Sequence, residues 1–163
     1  MPRTAQPSRY VFDYRDQFRF AHPPKTVWAA IDHMECFEDW WAWLSGLRVN
    51  GPGLRDGSVL EAVVSPPVPY RMRLRVAFSR CIPPSRIDAI VSGDLNGRAE
   101  LLLEPDHDGT RASVHWTIEM MQRRMRIAAR VAPAFLRWGH DRVVDVTVAG
   151  LRRHLGEPPG DIR

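Results

Sequence analysis

Residues 133–155 read PAFLRWGHDRVVDVTVAGLRRHL, and the architecture turns on this stretch. Leu136, His140, Val143, Val144, Thr147, Leu151 and Leu155 recur at spacings of three and four, which places them on one stripe of an α-helix. Pro133 suits the first turn of that helix, where its missing N–H leaves no bond unmade. At a rise of 1.5 Å per residue the segment predicts a rod of about 34 Å. A rod with one apolar stripe needs a surface of similar length to cover, and the preceding sequence supplies one.

Moving upstream, apolar alternation predicts strands at Val59 to Val64, Tyr70 to Phe78, Arg86 to Ser92, Arg98 to Glu104 and Arg111 to Met120. Pro66-Pro67, Pro83-Pro84, Asn96-Gly97 and the run Asp106 to Gly109 supply turn chemistry between them. These connections are too short for helical crossovers, so neighbours pair antiparallel. In the last run Ala112, Val114, Trp116, Ile118 and Met120 share one face; Met72, Leu74, Val76 and Phe78 do the same in the Tyr70 run. The sheet therefore has one wet face and one covered face. Further upstream, YVFDYRDQFRFA from Tyr10 alternates as a first strand, with Tyr10, Phe12, Tyr14, Phe18 and Phe20 inward and Asp16 interrupting the apolar face. Pro23-Pro24 followed by Val27, Trp28, Ile31 and Met34 predicts a short amphipathic helix. A second helical piece is expected over Cys36 to Leu44, and a stub of strand at Leu47 to Val49 before the Gly51-Pro52-Gly53 turn.

The 163 residues suffice for one domain with a real core, expected over 10–155, with a flexible amino terminus (1–9) and a flexible tail (156–163). No apolar run reaches the ~18 residues of a membrane span and no signal segment opens the chain, so a cytoplasmic protein is expected. Cys36 and Cys81 stand alone, without CxxC spacing, which argues against a zinc site or a disulfide framework. The net charge of +4 comes almost wholly from arginine, Lys25 being the single lysine; this reads as genome composition rather than a nucleic-acid surface. No nucleotide, metallohydrolase or nucleophile-elbow motif is present, and neither a metal nor a cofactor is expected.

A strand, two short helices, an antiparallel meander and a long last helix is the order of the α+β helix-grip fold, a curved sheet of about six to seven strands wrapped around its carboxy-terminal helix. The motifs PPKTVWAAID, DWWAWLSGLRV, Pro69-Tyr70-Arg71, Gly93-Asp94-Leu95-Asn96-Gly97, the strand carrying Trp116, Arg137-Trp138-Gly139-His140-Asp141 and Gly150-Leu151 occur in that order. Over 10–155 the sequence resembles the START-like, SRPBCC superfamily, and within it bacterial polyketide cyclase/dehydrase-like proteins. The resemblance implies a cavity between sheet and last helix that holds an apolar or aromatic small molecule such as a polyketide, lipid or quinone. Val144 and Thr147 stand where such proteins commonly have Met and Gly, and Thr147 adds volume to the cavity wall.

A ligand cavity is mostly apolar with a few convergent polar groups, so polar residues at inward positions are the informative ones. Asp16 either pairs with a donor or carries a raised pKa suited to acid or base work, unless the strand is bulged or wet there. His140, on the helix stripe, either shuttles a proton and holds a ligand carbonyl or ties the helix to a strand as a satisfied core histidine. Asp16 and His140 are the candidate catalytic pair. Asp141, about 100° round the helix, is expected to bond Arg137 or solvent. Tyr14, Tyr70, Met72, Trp116, Met120, Phe135, Trp138 and Val144 are the candidate ligand-binding residues, set against the simpler reading that such side chains are core. Trp40, Trp41 and Trp43 either gate the cavity or plug it. Met120 to Ile127 mixes arginine with flexible apolar side chains, as a membrane-touching surface does, but a solvated helix start is favoured.

The expected function is binding of an apolar or aromatic small molecule, with cyclase or dehydratase chemistry implied by the resemblance. Two alternatives stand beside it: a non-catalytic carrier of lipid or another small molecule, and an interaction module whose cavity is plugged by its own side chains. The oligomeric state is left open.

Overall fold

The computed structural model of the chain describes residues 10–158. The amino-terminal segment 1–9 and the last part of the expected tail, 159–163, lie outside the described residues.

Seven strands, β1 (Val11–Phe20), β2 (Leu44–Asn50), β3 (Val59–Val64), β4 (Met72–Ile82), β5 (Arg86–Gly93), β6 (Leu95–Asp106) and β7 (Gly109–Met120), form one sheet in the order β1-β7-β6-β5-β4-β3-β2. Every neighbouring pair is antiparallel, as short connections require. The helices are α1 (Pro24–Asp32), α2 (Phe37–Trp40), α3 (Arg123–Val131) and α4 (Pro133–His154). This is the helix-grip architecture. Its core joins Val27, Trp28 and Ala30 of α1 to Met34, Phe37, Leu60, Ala62, Val64, Met72, Phe78, Ile87, Ala89, Leu95, Leu103, Ala112 and Leu151. Each large side chain removed from water there contributes about 1.5–3 kcal/mol before the entropy of ordering is subtracted.

Two local readings are corrected. Asn96-Gly97 is not a turn: the chain reverses at Gly93, where φ is +111°, and Asn96 Oδ1 accepts the Gly93 N–H at 3.2 Å. Gly97 lies inside β6 against β7, where a Cβ would collide with the Thr117 carbonyl. The helix expected over Cys36 to Leu44 ends at Trp40, after a 3₁₀ turn at Met34–Cys36, and Leu44 already belongs to β2. Tertiary contacts override helical propensity there, because Trp41 turns extended and its Nε1 donates to the Thr147 carbonyl of α4 at 3.0 Å. The Met120 to Ile127 stretch does hold the expected helix start. It ends β7 and opens a separate helix, α3, which stops at Ala132 before Pro133 starts α4.

The tail expected to begin at Gly156 is tied down at its start. The Glu157 side chain is 7% exposed, its Oε1 accepts the Ala21 N–H at 2.7 Å, and it faces Arg152 and His22 at 4.0 and 3.9 Å.

Candidate functional site

The site grows from the pairing of β1 with β7. Their register sets Tyr14 opposite Trp116 and Phe12 opposite Ile118, all on the face toward α4. The Tyr14 and Trp116 rings stack at 4.5 Å, and α4 lays the His140 imidazole on them: 4.6 Å from Tyr14, 4.6 Å from Phe12 and 5.5 Å from Trp116. The His140 side chain is 20% exposed, and its Nε2 is buried with no hydrogen-bond partner. Nδ1 lies 3.1 Å from Asp141 Oδ1, which corrects the expectation that Asp141 bonds Arg137 or solvent. A carboxylate accepts, so Nδ1 carries the proton and Nε2 presents a lone pair to the aromatic enclosure. Burial outweighs the opposing pull of the Asp141 carboxylate and pushes the His140 pKa below its ordinary value, which disfavours the imidazolium.

Asp16 pairs with donors. Tyr14 Oη donates to Asp16 Oδ2 at 3.0 Å, and the Gln17 N–H donates to Oδ1 at 2.7 Å. The second bond has a topological reason. Met120 N–H donates to the Tyr10 carbonyl, so even-numbered residues of β1 bond toward β7 while odd-numbered ones point their backbone groups off the sheet edge. Asp16 caps Gln17 there, Arg152 caps the Arg19 carbonyl, and Glu157 caps Ala21. Asp16 and His140 therefore meet through Tyr14, one at its hydroxyl and the other at its ring, with no direct hydrogen bond between them. Burial first, then Asp16, with Asp141 and Asp145 adding their charge, hold the Tyr14 phenol well above its ordinary pKa.

The remaining candidates divide. Met72 and Val144 are buried, and Met120 is half-buried against the core. Tyr70 is half-buried in the β3–β4 loop, and burial pushes its phenol pKa up. That loop reaches α4, where Val68 Cγ1 lies 3.0 Å from the place a Gly139 Cβ would take. Phe135 and Trp138, expected to line the pocket, do not join this group. They are 45% and 51% exposed and stack on each other at 5.6 Å, because the inward stripe of α4 runs through Leu136, Gly139 and Val144. Trp41 locks the far half of α4 rather than standing free at a mouth: it stacks on Trp43, packs on Phe37 and bonds Thr147.

Two depressions of about 360 and 440 Å³ lie on the opposite, outer face of the sheet, along β1, β7 and β6. There Asp13 Oδ1 accepts from Thr117 Oγ1 at 2.7 Å and meets His115 Nε2 at 2.8 Å, a cross-strand cluster that holds the Asp13 pKa down. Sequence reasoning did not single this cluster out, since such a contact needs the β1–β7 register. Phe12 belongs to the aromatic group as well, and its parity with Tyr14 is the sequence signal for it. Among the described residues no group of three or more His, Cys, Asp or Glu is placed to hold a metal ion, and no helix is long and apolar enough to cross a membrane.

No protein-family model matches the sequence, and no curated protein does. Solved structures do match. A protein of Thermus thermophilus superposes with a TM-score of 0.69 at 16% identity, over 86% of this chain and 94% of its own. The di-domain ARO/CYC BexL, from the BE-7585A biosynthetic pathway, gives 0.69 at 18% identity over 94% of this chain and 52% of its own, so the chain spans about half of that protein. Ara h 8.0201 gives 0.65 at 11% identity over 90% and 99%. At these identities the likeness establishes the helix-grip fold.

Proposed function

We propose that this protein binds an apolar, hydroxyl-bearing aromatic molecule between β1, β7 and α4, with His140 as its polar anchor. The observation that carries the reading is the His140 Nε2 lone pair, buried among Phe12, Tyr14 and Trp116 without a partner. A buried acceptor left unpaired costs about 1–3 kcal/mol, which a ligand hydroxyl recovers on binding. The rings supply stacking area, and the neutral imidazole favours a donor over an anion. We take Met72, Met120, Tyr70 and Val144, buried or half-buried in the core, as further apolar contacts for the ligand. The ARO/CYC likeness supports a polyketide-like ligand, and the resemblance of the sequence to START-like proteins supports lipid or quinone-like ones.

Calorimetric titration with 2-naphthol and with its methyl ether tests this. One hydrogen bond of about 0.5–1.5 kcal/mol predicts roughly 2- to 12-fold tighter binding of the phenol. His140→Leu abolishes the difference while the ether still binds. Equal affinities in the wild type, or no binding of either, refute the anchor.

The same geometry supports a reactive version, in which His140 takes the proton of the bound hydroxyl and Asp141 steadies the imidazolium. Asp16 then acts as a positioning residue that orients Tyr14. Loss of cyclisation or dehydration of a polyketide in His140→Ala, with affinity within a few fold, distinguishes an enzyme from a carrier.

A further inference from the structure

The positive charge of the chain is not spread over its surface. Residues 122–140 hold Arg123, Arg124, Arg126, Arg130 and Arg137 and no Asp or Glu; with a formal net charge of +4 for the whole, everything outside this segment is net −1. The segment is α3 and the first turns of α4.

α3 also turns apolar side chains toward solvent. Met125 is its buried residue, whereas Ile127 and Val131, one turn apart, are 52% and 79% exposed. At ~100° per residue Ile127 and Val131 form a stripe with Arg123 and Arg130 along one side and Arg124 along the other. At the elbow where α4 begins, the stacked and exposed pair Phe135 and Trp138 follows. Arg126 is engaged, donating to the Met120 carbonyl and pairing with Glu119, and it lies with Arg130 over the Tyr10 ring. Arg123, Arg124 and Arg137 have no ion-pair partner among the described residues.

This patch is unsuited to a second copy of the chain, since a two-fold contact would set five arginines against five. It is suited to a surface that is anionic outside and apolar beneath. We propose that the α3–α4 elbow docks on an anionic lipid bilayer. Ile127, Val131, Phe135 and Trp138 enter the boundary between headgroups and acyl chains, and Arg123, Arg124 and Arg137 meet lipid phosphates. Tryptophan belongs at that depth, one edge apolar and one able to donate. The docking is independent of what binds at His140.

The test is co-sedimentation of the full chain with vesicles of phosphatidylcholine alone and of phosphatidylcholine with 30% phosphatidylglycerol, at about 0.1 M salt. Binding is expected to the anionic vesicles only, and to weaken with added salt. Each arginine at such a surface is worth about fivefold, so Arg123→Glu with Arg124→Glu and Arg137→Glu is expected to weaken binding by at least about 100-fold. Ile127→Ser with Val131→Ser is expected to abolish it, with an unchanged thermal melt because both side chains are exposed. Failure of the wild type to sediment with anionic vesicles overturns the proposal. So does binding that survives either variant, a dimer in ultracentrifugation that occupies this patch, or retention by a polyglutamate column without vesicle binding.

Discussion

The grip of α4 depends on two glycines that face different neighbours, and substituting each by alanine separates packing from helix propensity. A Cβ on Gly150 would sit 2.7 Å from Trp41 Nε1 and 3.0 Å from the Trp40 carbonyl. Trp41 cannot step aside cheaply, being stacked on Trp43, packed on Phe37 and bonded to Thr147. Overpacking of this kind costs about 1–3 kcal/mol, and stretching the Trp41 hydrogen bond adds about 0.5–1.5. The helix gains about 1 kcal/mol from losing a glycine. Gly150→Ala is therefore expected to lose about 2 kcal/mol, some 4–8 °C in Tm for a domain of this size. A Cβ on Gly139 meets only Val68 Cγ1, at 3.0 Å, a side-chain end on a loop that gives way by a few tenths of an ångström. Gly139→Ala keeps most of the same propensity gain and is expected to stabilise by about 0.5 kcal/mol. Urea unfolding of both variants, followed by tryptophan fluorescence, gives the two midpoints. A Gly150→Ala protein as stable as the wild type, or a Gly139→Ala protein equally damaged, refutes the lock between Trp41 and α4.

Two further outcomes follow from buried ionisable groups. Burial lowers the folded pKa of His140, so the unfolded chain binds the proton more readily: stability is full above the ordinary histidine value of about 6.5 and falls as pH drops from there through the folded pKa. His140→Gln is expected to remove that part of the acid slope, and identical slopes for variant and wild type between pH 7.5 and 5 count against it. Glu157→Ala leaves the Ala21 N–H and Arg152 without their partner and is expected to cost about 1–2 kcal/mol, read as a lower urea midpoint; an unmoved midpoint shows that the tail does not hold the end of β1.

Periodicity was enough to place β1, β3, β5, β7 and α4, because an alternation of two or a stripe of three and four is imposed by one side's exposure to water and survives in the sequence alone. It also put Tyr14, Trp116 and His140 on facing surfaces. It did not place Phe135 and Trp138 on the outer side of α4, since apolar side chains at the end of a helix are assigned a face only by what packs there. The local pattern makes Trp41 helical for the same reason, whereas its extended backbone goes with an indole bond to a carbonyl of α4 that no local pattern announces. Asp16 was legible as anomalous, but its partners depend on which backbone groups β1 turns outward, and that follows from register. The unpartnered Nε2 of His140 is a property of enclosure. Element order and buried faces are thus written along the chain, through the water each residue avoids, whereas the distances that give His140 its aromatic surroundings arise only when strands distant in the chain pair and α4 is pinned across them.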